Sequence, residues 1–134
     1  MARLVLLGAL LVLLAACGGD GEEDGGAAGP VDVELVVVTG VATSEQFEVR
    51  CDPSGGTTRD PGATCAAIAE HPEMLNPPPL ESSCPGNLGN PPEVRVGGTA
   101  NGEPVELAVR ECDEPEERAA AARLWLEAAG LSSG

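Results

Sequence analysis

Four cysteines, Cys51, Cys65, Cys84 and Cys112, punctuate a 134-residue chain that has little else to build a core from. Phe47 and Trp125 are its only aromatic residues apart from histidine. A domain this small buries a modest fraction of its surface, so covalent staples become the natural supplement to a thin core. A zinc site fits poorly, because there is no C-x-x-C pair and His71 is the sole histidine. The four cysteines are therefore expected to form two disulfides in an oxidising compartment, and three pairings are open to them.

A fifth cysteine has a different setting. Residues 1–16 read as a signal peptide, with Arg3 ahead of the apolar run Leu4–Leu14, which is too short to span a bilayer comfortably. The run ends in Leu14-Ala15-Ala16-Cys17, a lipobox-like sequence in which Cys17 would be lipidated and become the N-terminus. Ordinary cleavage beside a stray cysteine is the alternative. Residues 17–30 then form a lipidated cysteine and an acidic, glycine-rich linker with no residue able to join a core. Thirteen such residues span roughly 20 Å, enough to hold a domain clear of a membrane surface. The expected location is extracytoplasmic, lipid-anchored at the cell membrane or secreted.

From residue 31 the pattern is that of one domain, 31–134. Val31–Thr39 and Ser44–Cys51 alternate with period two and suggest an antiparallel hairpin turning at Gly40–Thr43. Asp52–Gly62 is turn-forming, and Ala63–Glu70 suits a short helix capped by Asp60 or Thr64. Met74 and Leu75 are small candidates for the core before the Pro77-Pro78-Pro79 break. Glu93–Gly97 and Pro104–Glu111 alternate and flank a turn over Gly98–Gly102, where Asn101-Gly102 is a strong hairpin-turn signal. Asp113-Glu114-Pro115-Glu116 resembles a capping box ahead of a helix over Ala119–Ala129, which Gly130 should stop. Leu124, Ala128 and Leu131 would share its inner side with Ala121, with Trp125 beside them over the sheet. The expected fold is α+β: an antiparallel sheet of four to five strands with two short helices on one face.

Between these halves lies Cys84-Pro85-Gly86-Asn87-Leu88-Gly89-Asn90-Pro91-Pro92. Its prolines and glycines exclude a helix and a central strand, leaving an exposed, extended loop. With 22 acidic residues against seven arginines and no lysine, the net charge is −15, which disfavours nucleic acid and anionic lipid headgroups as partners. Ser44, Ser54, Ser82 and Ser83 lack a G-x-S-x-G elbow, and no carboxylate pair stands out by spacing. The chain is expected to be neither an enzyme nor dependent on a cofactor or metal.

The order of these features resembles the Streptomyces subtilisin inhibitor-like family over about Asp32–Cys112. The matching residues are Cys51-Asp52-Pro53-Ser54-Gly55-Gly56-Thr57, Cys65-Ala66-Ala67-Ile68 and Cys84-Pro85. Further on come Val94-Arg95-Val96-Gly97-Gly98, Asn101-Gly102-Glu103-Pro104-Val105 and Glu111-Cys112. The resemblance implies local disulfides, Cys51 with Cys65 and Cys84 with Cys112. In the chain-entropy picture these contribute roughly 3 and 3.5 kcal/mol. It also implies a secreted, usually homodimeric inhibitor of subtilisin- or trypsin-type serine endopeptidases that presents a substrate-like loop. Carried onto this chain, the loop is Cys84, Pro85, Gly86, Asn87 and Leu88. Gly86 would enter the protease's specificity pocket, and Gly86-Asn87 would be the reactive bond. Relatives place a long or apolar side chain in that pocket, which Gly86 lacks. The missing burial is worth about 1.5–3 kcal/mol and the ordering of a glycine about 0.5–1 kcal/mol more, together on the order of 30- to 1000-fold in affinity. A non-inhibitory surface module on the same scaffold is the alternative function.

Overall fold

The computed structural model describes residues 29–86 and 89–131. The expected signal peptide, Cys17, most of the expected linker, and Asn87 and Leu88 of the loop lie outside the described residues. Five strands run in order as β1 (Val31–Val38), β2 (Ser44–Cys51), β3 (Gly55–Gly56), β4 (Glu93–Ala100) and β5 (Glu103–Arg110). Two helices, α1 (Pro61–Glu70) and α2 (Glu116–Ala128), and a 3-10 turn at Pro72–Met74 complete the domain. The sheet is antiparallel throughout, in the order β3-β2-β1-β4-β5. The two hairpins expected from the sequence are therefore one sheet, joined where β1 pairs with β4 from Val31↔Ala100 to Val38↔Glu93.

Alternation decides which face is covered. Val31, Val33, Leu35 and Val37 of β1 are all at most 4% exposed, whereas Asp32 and Glu34 between them face water. Val49 and Cys51, Val94 and Val96, and Val105 and Val109 extend the same apolar face across β2, β4 and β5. Both helices lie over it, with Cys65 and Ile68 from α1 and Ala121, Ala122, Trp125 and Leu126 from α2. Trp125 is fully buried, and its indole N–H donates to the Met74 carbonyl at 2.8 Å. That bond ties α2 to the 3-10 turn and satisfies the one polar atom of the largest core side chain.

The helix ends follow local chemistry, with one exception. Asp60 caps α1 by accepting from the Ala63 amide at 3.0 Å. Gly130, at φ +75°, closes α2 through Gly130 N–H to Glu127 O (3.0 Å) and Leu131 N–H to Leu126 O (2.8 Å), a Schellman motif. The expected capping box does not form. α2 starts at Glu116 with Pro115 as N-cap and no capping side chain, because the Asp113 carboxylate is engaged elsewhere. The buried stripe also sits differently from the expectation. Ala119, Ala121, Ala122, Trp125 and Leu126 face the sheet, while Leu124, Ala128 and Leu131 flank it half-buried.

Two glycine-rich stretches expected as turns are strands. β4 continues through Gly97 and Gly98 to Ala100, leaving only Asn101 and Gly102, both at positive φ, for a two-residue hairpin turn. Gly98 has φ +146°, and a Cβ there would overlap the carbonyl oxygen of Asp32 on β1. Gly56, in β3, would meet the Glu48 carbonyl in the same way. At both positions the neighbouring strand comes too close for a side chain.

Trp125→Phe should keep the fold but orphan the Met74 carbonyl, lowering stability by about 1–3 kcal/mol in urea titrations. Trp125→Ala should cost about 3–5 kcal/mol through cavity formation.

Candidate functional site

The loop following Cys84 is reached through a stiff lead-in. Pro77-Pro78-Pro79 fixes an extended backbone. Ser82 then forms an antiparallel bridge with Glu114, in which Glu114 N–H donates to Ser82 O at 2.9 Å and Glu81 N–H to Glu114 O at 2.8 Å. Two residues later, Cys84 is bonded to Cys112 with Cα atoms 5.0 Å apart, a normal disulfide span. The other disulfide joins Cys51 to Cys65 at 5.7 Å and holds α1 against β2. The pairing implied by the resemblance is thus present. Cys84 is half-buried, and Pro85 and Gly86 are exposed.

At its far end the loop returns through Gly89, at φ +74°, and Asn90-Pro91-Pro92 into β4. Glu93, the first residue of that strand, sits opposite Arg110 in the sheet register and accepts from its guanidinium at 2.8 Å. Arg95 Nε reaches the other oxygen of Glu93 at 2.5 Å. Burial works to raise the Glu93 carboxyl, but the hydrogen bonds and charges of Arg95 and Arg110 outweigh it and hold Glu93 below the ordinary carboxylate value.

A single stretch, Arg110–Glu114, therefore holds both ends. Arg110 takes the exit through Glu93, Cys112 takes the lead-in through its disulfide, and Glu114 takes it again by backbone pairing. The stretch is itself tied by Asp113, 7% exposed, whose carboxylate accepts from the Arg110 amide at 3.0 Å and lies 3.5 Å from Arg118 Nε. Arg118, on the first turn of α2, also donates to Pro78 O (2.8 Å) and Ala108 O (2.6 Å). One guanidinium thus joins the proline lead-in, β5 and the loop base. Its Nε has no acceptor in hydrogen-bond geometry, so its link to Asp113 is a charge pair.

Gly86, the position that the resemblance would place in a protease pocket, meets no steric barrier among the described residues. Among the described residues other than its chain neighbours, a Cβ on Gly86 would meet no atom within 4 Å, and its backbone is not left-handed. Asn87 and Leu88, expected as loop residues, lie outside the described residues. What the site offers chemically is exposed backbone on a braced frame. Among the described residues, no group of three or more His, Cys, Asp or Glu side chains is placed to hold a metal ion.

The register also orients the molecule. The β1–β2 turn, the start of β4 and the end of β5 share the loop's end of the sheet. The chain emerges from the linker at the opposite end, where Asn101 N–H donates to Pro30 O at 2.7 Å.

Arg118→Met leaves Asp113 as a buried carboxylate without a cation and should lower stability by about 3 kcal/mol. Asp113→Leu should cost a similar amount, and the double variant less than the sum, as urea titration of all four proteins would show. Because Glu93 is held low in the folded state, its contribution is fully present above its unfolded value and is lost as pH falls through its folded value. Glu93→Gln should therefore reduce stability at neutral pH and flatten its decline on acidification through the carboxylate range. No protein-family model matches this chain, and no curated protein is significantly similar to it.

Proposed function

We propose that the domain inhibits serine endopeptidases of the subtilisin or trypsin type outside the cytoplasm, offering Cys84–Leu88 as a substrate-like loop. The observation that carries this reading is a loop held at both ends by Arg110–Glu114 while Pro85 and Gly86 stand exposed. Such bracing removes freedom from the unbound loop, so docking to a protease cleft orders less chain. Extended backbone can add to the cleft's edge as a strand. A braced loop would also keep the amine released at Gly86-Asn87 beside the acyl-enzyme, favouring religation over product loss.

The two disulfides fit an oxidising compartment. Among the described residues, no helix is long and apolar enough to cross a membrane. Lipidation at Cys17 would provide the attachment, with residues 17–30 as its tether. An anchored domain would then carry its loop at the end of the sheet away from the linker. β1 has eight residues, so the two ends are separated by about 25 Å.

The lipid-free chain (Cys17→Ser), purified with both disulfides formed, should give saturable inhibition of subtilisin with slow cleavage at Gly86-Asn87. Rapid hydrolysis of that bond without inhibition would refute the reading. Gly86→Leu should tighten binding by roughly 30- to 1000-fold, since a pocket is filled and a flexible residue removed. An unchanged inhibition constant would place the pocket residue elsewhere. The missing side chain at Gly86 also supports a second reading, a surface module that keeps the scaffold without a protease target. Tight capture of a protease by the wild-type domain would count against it.

A further inference from the structure

The two disulfides sit in different surroundings. Cys51 and Cys65 are 4% and 8% exposed and belong to the apolar core. Cys84 and Cys112 are half-buried and lie outside it. A thiol opens a disulfide by attacking one of its sulfurs directly, so burial protects the first bond and leaves the second within reach. The bonds also differ in what depends on them. Cys51–Cys65 holds α1 against β2, whereas Cys84 belongs to a stretch that gives the core nothing: among the described residues, no buried side chain lies between Met74 and Val94. That stretch has other ties to the domain, through Ser82 to Glu114 and through the Pro78 carbonyl to Arg118. β4 and β5 pair over all eight positions without it.

We propose that the Cys84–Cys112 bond is a redox-controlled latch on the loop: a dithiol reductant opens it ahead of Cys51–Cys65 and frees the loop's origin while the sheet and helices stay folded. One thiolate of the dithiol attacks a sulfur of the pair, forming a mixed disulfide and expelling the other cysteine as a thiolate. The second thiol of the dithiol then displaces the bound cysteine and closes the reductant's own disulfide. Two electrons pass to the protein, and two protons from the dithiol end on Cys84 and Cys112. The chain beyond Ser82 is then held only by its backbone bridge to Glu114 at one end and by the Glu93–Arg110 pair at the other. The device is independent of the inhibitory reading, since it concerns how the loop is held and not what it binds.

In the Cys17→Ser chain every thiol that appears comes from one of the two bonds, so partial reduction with dithiothreitol can be followed by alkylation and mass mapping. Salt is kept high enough to screen Glu111 and Glu114, whose charge beside Cys112 repels an incoming thiolate. Singly reduced protein should carry its label on Cys84 and Cys112 about 10-fold more often than on Cys51 and Cys65. Its Trp125 emission should remain that of a buried indole. Thermolysin, a metalloprotease, should cut it within residues 85–90 about 10-fold faster than the oxidised chain, because the freed loop opens more readily. Glutathione disulfide should restore the original resistance, and the double variant Cys84→Ser, Cys112→Ser should be folded and cut fast without any reductant. Equal labelling of the two pairs, or earlier opening of Cys51–Cys65, would overturn the proposal. So would red-shifted Trp125 emission in the singly reduced chain or the double variant, because the bond would then hold the fold. An unchanged cutting rate would overturn it as well, because other contacts would then hold the loop.

Discussion

The disulfide between Cys84 and Cys112 gives the exposed loop a fixed origin, and the neighbouring residues turn that single bond into a frame. Alone, a disulfide constrains one point and leaves the direction of the chain open. Here Glu114 pairs with Ser82 on one side of it, and Arg110 holds Glu93 on the other. Three kinds of interaction, covalent, backbone and ionic, converge on five consecutive residues. The redundancy matters because surface ion pairs contribute little on their own. Glu93 is 19% exposed and Arg110 40%, so that pair is partly shielded but would not hold a loop by itself.

The frame is rigid because it is continuous with the core. Arg118 leaves α2 two positions after that helix begins, and its guanidinium reaches Asp113, Ala108 and Pro78. α2 in turn is pinned by Trp125, buried against the sheet and bonded to Met74. A displacement of the loop base would therefore have to disturb a buried charge pair and the largest core side chain together. A small sheet thus gains a stiff working end without a large core.

The sheet itself was legible because alternation is a strong, local signal. Val33, Leu35 and Val37 on β1, and Phe47, Val49 and Cys51 on β2, name their own buried face. Asp60, Asn101-Gly102 and Gly130 announced a cap, a turn and a stop by chemistry that needs only adjacent residues. The disulfide pairing was open to spacing alone and followed from the family resemblance. The misreadings share a cause: the deciding partner lies outside the local motif that the residue itself suggests. Gly98 and Gly56 look like turn residues until the carbonyls of Asp32 and Glu48 come beside them. Asp113 looks like a helix cap until the Arg110 amide and Arg118 claim it. Arg118 was overlooked altogether. Its signal was a cation on the same helical stripe as Ala121, Ala122 and Trp125, where a polar side chain needs a specific partner.

The glycines separate what the fold demands from what a partner could demand. At 56 and 98 a side chain is excluded by strand backbone at positive φ, so glycine there is a structural requirement. At 86 neither constraint applies, since the position is open and its backbone is not left-handed. Folding therefore gives no reason for glycine at the position where an inhibitory loop gains most from a side chain. Glycine there also costs about 0.5–1 kcal/mol in chain ordering relative to alanine. Replacing Gly86 should therefore leave the domain as stable as before or slightly more so. Side chains can be varied at that position while Cys84, Cys112, Arg110 and Glu114 keep the frame unchanged. Under the proposed inhibitory function, a change in protease affinity on such variation would report on the partner's pocket, with the scaffold held constant.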